Sequence, residues 1–383
     1  MVNADSIQNE IVLVGNPFAP TGRGGTALSF FRSLRAVSMP VKMCEAYTHT
    51  ANKNIDPMLE HELHDFLISQ PGGHINIYHL NGNEVDGSLS ALKHKLPDGA
   101  YNIIYPFWEL DKYPQPWLEK LELFDEVWAP SVFIQQTLSK VFTKPIYHMP
   151  LPVQVELTSF LGRKYFGLPE GSYLFLFSFD FRSYLDRKNP GALLNVFEKV
   201  RKARPAADIR IVIKVHGTQV SEKSNSDYQN FVKQIHQSGF RDQIILIDQV
   251  YNDNEIKNLI RCCDCFVSLH RSEGFGLGMA EAMYLGKPVI ATGYSGNLDF
   301  MTSDNSCLVD YELIPVDEGQ YPFAEGQVWA DPDSEQAADY MRTLLDDRDF
   351  GRKLGLLASQ SIRKYFSYLA LGLRYQSRLE NVP

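Results

Sequence analysis

The sequence is poor in cysteine and contains no long uninterrupted run of apolar residues. Its five cysteines among 383 residues are odd in number and too few for a disulfide framework, which favours a reducing compartment and makes the cytoplasm the expected location. No apolar stretch approaches the roughly 18 residues of a membrane-spanning helix, and the N-terminus has no basic region followed by an apolar one. We therefore expect neither secretion nor membrane insertion, and at most peripheral association with the inner face of a membrane.

An excess of positive charge is also absent. The chain has 37 Lys and Arg against 46 Asp and Glu, a formal net charge of −9, so the whole molecule should repel nucleic acid, which we exclude as a partner. Apolar residues make up 44% and charged residues 22%, proportions that exclude a disordered or collagen-like chain. At about 150 residues per domain, the length favours two domains.

What the sequence does contain is an alternation of short β-rich runs with helical patterns, in two successive stretches. This alternation is typical of β-α-β units on parallel sheets. The proline-marked segment Met149–Val153 lies between the stretches, and proline favours an extended linker over a helix. The sequence therefore predicts an α/β protein of two Rossmann-like parallel-sheet domains, over 1–152 and 153–364. We expect them to face a cleft lined by strand-to-helix loops.

The densest group of polar residues follows a predicted buried strand and extends from Ser268 to Met283. It combines a glycine-bearing loop with the start of a helix, whose free N–H groups and positive dipole end suit a phosphate. Glu273 and Glu281 would repel that phosphate unless they bind other groups, and vicinal sugar hydroxyls are good donors to carboxylates. A sugar nucleotide satisfies both requirements.

Two alternatives apply to this segment. Glu281 taken alone could be a first-turn glutamate that stabilises the helix dipole. Gly274, Gly276 and Gly278 also suggest a dinucleotide site, but Glu281 occupies the position where that fingerprint needs a small residue.

A second loop, Phe179–Pro190, carries three cations after the first strand of the second domain. Arg182 and Arg187 can each bind phosphate oxygens through a planar fork, and Lys188 can act as a point charge. Fixed cations of this kind would stabilise a departing nucleoside diphosphate. For an isolated Arg–Lys pair, a solvated surface position is the alternative.

Weaker signals lie in the N-terminal half. Gly24 and Gly25 fall in the segment that joins the first strand, Glu10 to Gly15, to a helix predicted from Thr26. Glycines there allow close approach of a ligand, yet they also simply make turns. His79 ends a predicted strand, where a histidine is either structural or catalytic.

The paired glutamates carry a resemblance to a known family. Glu273 and Glu281, separated by seven residues around Gly-Phe-Gly and followed by Gly286-Lys287-Pro288, resemble the signature of the retaining group 1 (family four) glycosyltransferases of the GT-B fold. The segment Thr292–Phe300 resembles relatives that assemble bacterial cell-surface polysaccharides. The resemblance implies transfer of a hexose-type sugar from a GDP- or UDP-sugar to a glycan or lipid-linked acceptor. It also implies a C-terminal helix, at about 365–383, that returns to the first domain.

The resemblance also assigns roles to residues of the second domain. It implies that Glu273 contacts the donor sugar and Glu281 the ribose hydroxyls. Arg182 and Lys188, six positions apart, match the cations that the family places at the leaving diphosphate, which leaves Arg187 as a solvated or ion-paired neighbour. The diphosphate would be held by backbone amides, those of Phe275, Gly276 and Leu277.

In the first domain the resemblance implies that Gly24 or Gly25 approaches the diphosphate. His79 matches the family's active-site histidine, although Leu80 follows where many relatives carry Glu-Pro.

We expect no metal and no cofactor other than the donor substrate. Cys262, Cys263 and Cys265 lie across a predicted helix end and a buried strand without a converging fourth ligand. The alternatives to a transferase are an epimerase or phosphorylase of the same fold, or a nucleotide-sugar-binding subunit without turnover.

Overall fold

The structure, a computed structural model, describes residues 10–19, 22–46, 57–92 and 96–382, without the side chains of residues 22 and 23. Two compact units divide the chain. Unit 1 comprises Met1–Gln154 together with Lys364–Pro383, and unit 2 comprises Val155–Arg363. The boundary expected at 152 and 153 lies two residues before this division.

Unit 1 is built on a parallel sheet. Its strands are β1 (Ile11–Gly15), β2 (Val41–Glu45), β3 (Leu67–Ile68), β4 (Ile75–Tyr78), β5 (Tyr101–Ile104), β6 (Glu126–Ala129) and β7 (Ile146–His148). They are arranged in the order β3-β2-β1-β4-β5-β6-β7, and every pair is parallel. The helices between them are α1 (Gly22–Ala36), α2 (Pro57–Leu63), α3 (Val85–Ala91), α4 (Gln115–Leu121) and α5 (Val132–Ser139). All five residues of β1 are buried, as expected for a parallel strand covered on both faces.

Unit 2 repeats this architecture. Its main sheet contains β8 (Tyr173–Asp180), β9 (Ile209–His216), β10 (Ile244–Asp248), β11 (Cys265–Ser268), β12 (Val289–Thr292) and β13 (Cys307–Val309). These strands run parallel in the order β10-β9-β8-β11-β12-β13. A separate antiparallel hairpin follows, β14 (Tyr311–Pro315) and β15 (Val328–Pro332). The helices are α6 (Leu185–Lys188), α7 (Pro190–Ala203), α8 (Glu222–Gln237), α9 (Asp253–Cys262), α10 (Leu277–Tyr284) and α11 (Ser334–Asp346).

Strand β8 shows why this sequence makes a buried strand. Its aromatic residues alternate, and Tyr173, Phe175, Phe177 and Phe179 all join one hydrophobic core cluster with residues of α7 and α11. Because successive side chains of a strand point to opposite faces, a period of two places these four rings on the same face of the sheet. Leu174 and Leu176 alternate with them and are also buried, so helices cover both faces.

The chain ends in two helices, α12 (Arg348–Tyr365) and α13 (Tyr368–Leu379). Helix α13 packs on α1 within unit 1, and the contact is close enough that a Cβ on Gly372 would lie 2.3 Å from the Ser33 carbonyl oxygen. Arg378 of α13 donates to the fully buried Glu126, which also accepts hydrogen bonds from Trp128 Nε1 at 2.6 Å and the Tyr101 hydroxyl at 2.9 Å. This network ties α13 to β6. Among the described residues, no helix is both long enough and apolar enough to cross a membrane.

Both parallel sheets reverse their strand order once. The reversal lies between β1 and β4 in unit 1 and between β8 and β11 in unit 2. Open α/β sheets bind ligands beyond the carboxyl ends of the strands at such a reversal. We therefore expect a ligand site in the loops that follow these four strands.

Candidate functional site

In unit 2 the loops after β8 and β11 bring two predicted residues together. Lys188, at the end of α6, donates to a carboxylate oxygen of Glu273, and Nη1 of Arg187 lies 3.3 Å from the other oxygen. The Glu273 side chain is only 13% exposed. Burial alone would raise its pKa, but Lys188 and Arg187 outweigh burial and lower the pKa to about 2. At neutral pH the site therefore holds an ionised carboxylate between two cations.

The Arg187 side chain is more deeply buried than the sequence indicated. Its side chain is 4% exposed, and besides Glu273 it donates to the carbonyl oxygens of Ser272 at 2.8 Å and Ser183 at 3.2 Å. The solvated alternative is therefore wrong, and the ion-paired one is correct. A buried guanidinium needs several acceptors at once, and the two loops supply them.

Arg182 lies apart from this cluster, in a 3-10 turn over Phe181–Ser183. It pairs with Asp180 at the end of β8, with Nε 2.9 Å from Oδ2 and Nη2 2.5 Å from the same oxygen. Burial would raise the pKa of Asp180, but the hydrogen bonds from Arg182 lower it. Gly217, at φ +72, makes room for the pair, since a Cβ there would lie 2.4 Å from Asp180 Oδ1. Arg182 and Lys188 therefore form ion pairs with two different carboxylates.

Helix α10 begins immediately after the Glu273 loop. Gly276, at φ +96, precedes its first residue, Leu277, and the N–H groups of Met279 and Ala280 return to the Gly276 carbonyl at 3.0 and 3.2 Å. Within the described ranges, the N–H groups of Gly276, Leu277 and Gly278 make no hydrogen bond. Free N–H groups at the start of a helix are donors of the kind that suits an anion. Of the three predicted amides, Gly276 and Leu277 lie in this group.

The third predicted amide is that of Phe275, a residue whose side chain has a packing role. Its side chain is buried, with its ring 5.0 Å from that of Phe300. The ring anchors the loop to the 3-10 turn that follows β12, and Gly278, which the prediction did not include, adds its N–H to the helix end.

Glu281 is the fifth residue of α10 and therefore lies beyond the first turn, so the first-turn explanation is wrong. Its carboxylate accepts a hydrogen bond from Lys257 of α9, whose ammonium also lies 3.2 Å from Asp253. The Lys257 and Glu281 side chains are 8% and 12% exposed. Burial alone would lower the pKa of Lys257, but Glu281 and Asp253 raise it above its ordinary value. For Glu281 the direction is opposite: burial raises the pKa of its carboxyl group, and the positive charge of Lys257 opposes that rise.

Lys257 is the charged residue of this site that the sequence analysis did not identify. It is 24 positions from Glu281, and no spacing rule connects them. The available signal was its place beside the buried Leu259 and Ile260 of α9. A lysine on the buried side of a helix needs an anionic partner, although the sequence does not say which.

In unit 1 the structure corrects the position of the two glycines. Gly24 and Gly25 lie in the first turn of α1, which begins at Gly22 rather than at Thr26. The cause is the tight turn before the helix, in which Ala19 N–H donates to Asn16 O at 3.1 Å. Gly24 packs on that turn, and a Cβ there would lie 2.2 Å from Ala19 O, whereas around Gly25 no described contact lies within 4 Å. Gly24 is thus required by packing, whereas the described residues leave the space beside Gly25 open.

His79 follows β4, at the strand-order reversal of unit 1. Its ring is buried between those of Phe30 and Tyr105, at 4.6 and 5.2 Å, and neither ring nitrogen has a hydrogen-bond partner among the described residues. Burial lowers its pKa to about 3. The imidazole is therefore neutral at physiological pH and holds two unsatisfied polar atoms, an arrangement that water or a ligand would relieve.

The cysteine-rich segment lies at the end of α9 and the start of β11, and its Cys263 and Cys265 are buried thiols. Over the residues that the structure describes, no group of three or more His, Cys, Asp or Glu side chains converges in a way that could hold a metal ion.

Residues 163–358 match the family of group 1 glycosyl transferases, and this half of the chain contains the Lys188–Glu273 and Lys257–Glu281 pairs. Comparison with proteins of curated function gives no match.

Solved structures are similar over nearly the whole chain. Sucrose-phosphate synthase from Thermosynechococcus elongatus is 14% identical with a TM-score of 0.69, over 97% of this chain and 98% of that one. The Anabaena protein HepE, solved with UDP-glucose, is 13% identical with a TM-score of 0.71, over 98% and 100%. The lipopolysaccharide outer core galactosyltransferase WaaB is 12% identical with a TM-score of 0.59, over 97% and 100%. These similarities show the fold, which is the GT-B fold of two Rossmann-like domains.

Proposed function

Because the chain belongs to the group 1 glycosyl transferases, we propose that it transfers a hexose-type sugar from a nucleoside diphosphate sugar to a glycan or lipid-linked saccharide, with retention at the anomeric carbon. The observation that carries the proposal is the Glu273 cluster. One carboxylate lies between Lys188 and Arg187, next to the free amides at the start of α10.

The cluster suits a departing diphosphate. Breaking the bond between sugar and phosphate leaves the bonding electrons on the phosphate oxygen, and fixed cations and amide dipoles stabilise that charge without reorganisation. Lys188 and the amides of Leu277 and Gly278 supply this stabilisation in the proposal. Nη1 of Arg182, which makes no hydrogen bond to the described residues, adds a further donor. Glu273 then accepts hydrogen bonds from sugar hydroxyls.

Lys257 and Glu281 complete the donor site in this proposal. Glu281 accepts hydrogen bonds from the ribose hydroxyls, and Lys257 supplies an opposite charge that offsets part of the cost of burying it. The assignments of His79, Gly24 and Gly25 rest on the resemblance. Of the two glycines the proposal favours Gly25, because packing already explains Gly24.

The donor and pathway are proposed from the similar structures. HepE was solved with UDP-glucose, which favours a UDP-sugar, and WaaB acts on lipopolysaccharide outer core, which favours surface polysaccharide synthesis. In the proposal the cations and the start of α10 neutralise the diphosphate, so no divalent ion is required. The acceptor attacks the same face of the sugar from which the diphosphate departs, and its proton passes to a phosphate oxygen of the donor.

A donor screen tests the function. Purified protein is incubated with UDP- and GDP-sugars, with and without saccharide acceptors, and release of nucleoside diphosphate is measured in EDTA and in magnesium. We expect acceptor-dependent release that survives EDTA, and NMR of the product should show the donor's anomeric configuration. Thermal stabilisation by a donor without any release would indicate a binding subunit instead. Isomerisation of the donor sugar would indicate an epimerase, and acceptance of phosphate a phosphorylase.

A further inference from the structure

The hairpin β14–β15, with the loop that connects its strands, is unused by the proposed function, yet it is firmly packed. Trp329 of β15 is completely buried, and Tyr321 of the connecting loop is nearly so. Val316 N–H donates to Gln327 O at 3.0 Å and closes the base of the loop. The hairpin interrupts the alternation of parallel strands and helices between β13 and α11.

Tyr321 packs against the loop that carries the cations. Its ring lies 4.7 Å from the ring of Tyr184, and the guanidinium carbon of Arg187 lies 6.0 Å from the Tyr321 ring centroid. Tyr184 has φ +63, a backbone conformation that an aromatic residue keeps only where surrounding contacts hold it. Lys223 lies 6.0 Å from the centroid of the Tyr184 ring and donates to Gly319 O of the hairpin loop at 3.0 Å.

Arg271 connects the same hairpin to the Glu273 loop. Its carbonyl accepts from Ala330 N–H at 3.0 Å, and its Nη2 lies 3.3 Å from Asp331, so β15 holds both its backbone and its side chain. Its N–H donates to Arg187 O at 2.8 Å, and its Nη1 donates to Asp186 O at 3.1 Å. One residue thus joins the hairpin to both loops of the cluster.

We propose that the β14–β15 hairpin positions the Arg187–Lys188 cations on Glu273, with Tyr321 as the positioning residue. The Arg187 side chain contacts Glu273, two carbonyl oxygens and the Tyr321 ring, and of these partners the ring belongs to the hairpin. Removing the ring takes a packing contact away from both Arg187 and the strained Tyr184, so the turn that ends at Lys188 loses part of its support. The expectation that this positioning affects the binding of a diphosphate rests on the proposed function.

The test compares Tyr321→Ala and Tyr321→Phe with a control on the same hairpin, Leu313→Ala, at a residue that is 55% exposed. The first measurement needs no ligand. Amide hydrogen exchange is read at Lys188 and Asn189, whose N–H groups donate to Tyr184 O and Leu185 O. We expect exchange about tenfold faster in Tyr321→Ala, with wild-type rates in the other two variants. Unchanged protection of the β11 amides shows that unit 2 remains folded.

The second measurement compares the affinities of UDP and uridine, whose ratio isolates the diphosphate contribution. We expect Tyr321→Ala to lower that ratio about tenfold and Tyr321→Phe to preserve it. Unchanged exchange at Lys188 and Asn189, or equal losses in Tyr321→Ala and Leu313→Ala, would overturn the inference. If wild-type protein binds no nucleoside diphosphate, the proposed function fails, while the exchange measurement still decides whether the hairpin holds the loop.

Discussion

Replacing Glu273 with glutamine should destabilise unit 2 by about 3 kcal/mol at pH 7. Lys188 and Arg187 outweigh burial and move the Glu273 pKa from its ordinary 4.5 to about 2, and at 1.36 kcal/mol per pKa unit this corresponds to about 3 kcal/mol. Glutamine preserves the shape of the side chain but removes its charge. Two buried cations then lack their carboxylate, which is a strongly destabilising arrangement.

The stabilisation has a defined pH dependence. The folded-state pKa lies below the unfolded one, so the contribution is complete above about pH 4.5 and is lost as the pH falls towards 2. Glutamine does not titrate. The difference in unfolding free energy between wild type and Glu273→Gln should therefore shrink by about 1 kcal/mol between pH 7 and pH 4.

Urea unfolding with hydrogen exchange read in β11 measures this difference for unit 2 alone. Glu198→Gln is the matched control, because Glu198 pairs with Lys202 on the surface of α7 and such pairs contribute about 0.5 kcal/mol or less. Saturating UDP should stabilise Glu273→Gln more than wild type, since the diphosphate supplies the missing negative charge. Equal stability of wild type and Glu273→Gln at pH 7, or a difference independent of pH, would refute the electrostatic account.

Three further substitutions test other contacts. Lys257→Met leaves Glu281 buried without its cation, so we expect the KM for the donor to rise about tenfold with kcat nearly unchanged, as steady-state kinetics would show. Gly217→Ala forces a Cβ into the Asp180–Arg182 pair at a positive φ, and we expect a loss of about 1–3 kcal/mol in stability with a marked fall in kcat, measured by urea unfolding and initial rates. Arg378→Met leaves the carboxylate of Glu126 uncompensated, and unit 1 should lose about 3–5 kcal/mol, read by hydrogen exchange in β6.

Each substitution has a matched control. Lys199 forms an exposed pair with Glu335, Gly99 has φ +75 with no described contact around its Cβ position, and Arg352 forms an exposed pair with Asp349. The Met replacements of Lys199 and Arg352 should change stability by no more than about 1 kcal/mol. Gly99→Ala should show only the roughly 1–2 kcal/mol cost of a side chain at a positive φ, and all three controls should keep wild-type kinetics. If a control variant lost as much stability or activity as its test variant, the loss would not depend on the contact under test.

Local pattern in the sequence was sufficient to predict the two α/β units and the position of the main loops. The alternating aromatic residues of β8 and the apolar run of β1 specify strands through side-chain period and burial, which depend on near neighbours alone. Because the carboxyl ends of parallel strands meet at one edge of a sheet, the same pattern also predicts that the loops carrying Lys188 and Glu273 lie near each other.

Tertiary structure alone decided which charges meet. Lys257 reaches Glu281 across 24 residues, and Arg187 turns inward because acceptors from two separate loops converge on it. Ion pairing depends on distance in space, and sequence spacing carries no information about it beyond a helical turn or a strand pair. The early start of α1 follows the same rule, since the close packing of Gly24 on the Asn16–Ala19 turn exists only in the folded chain.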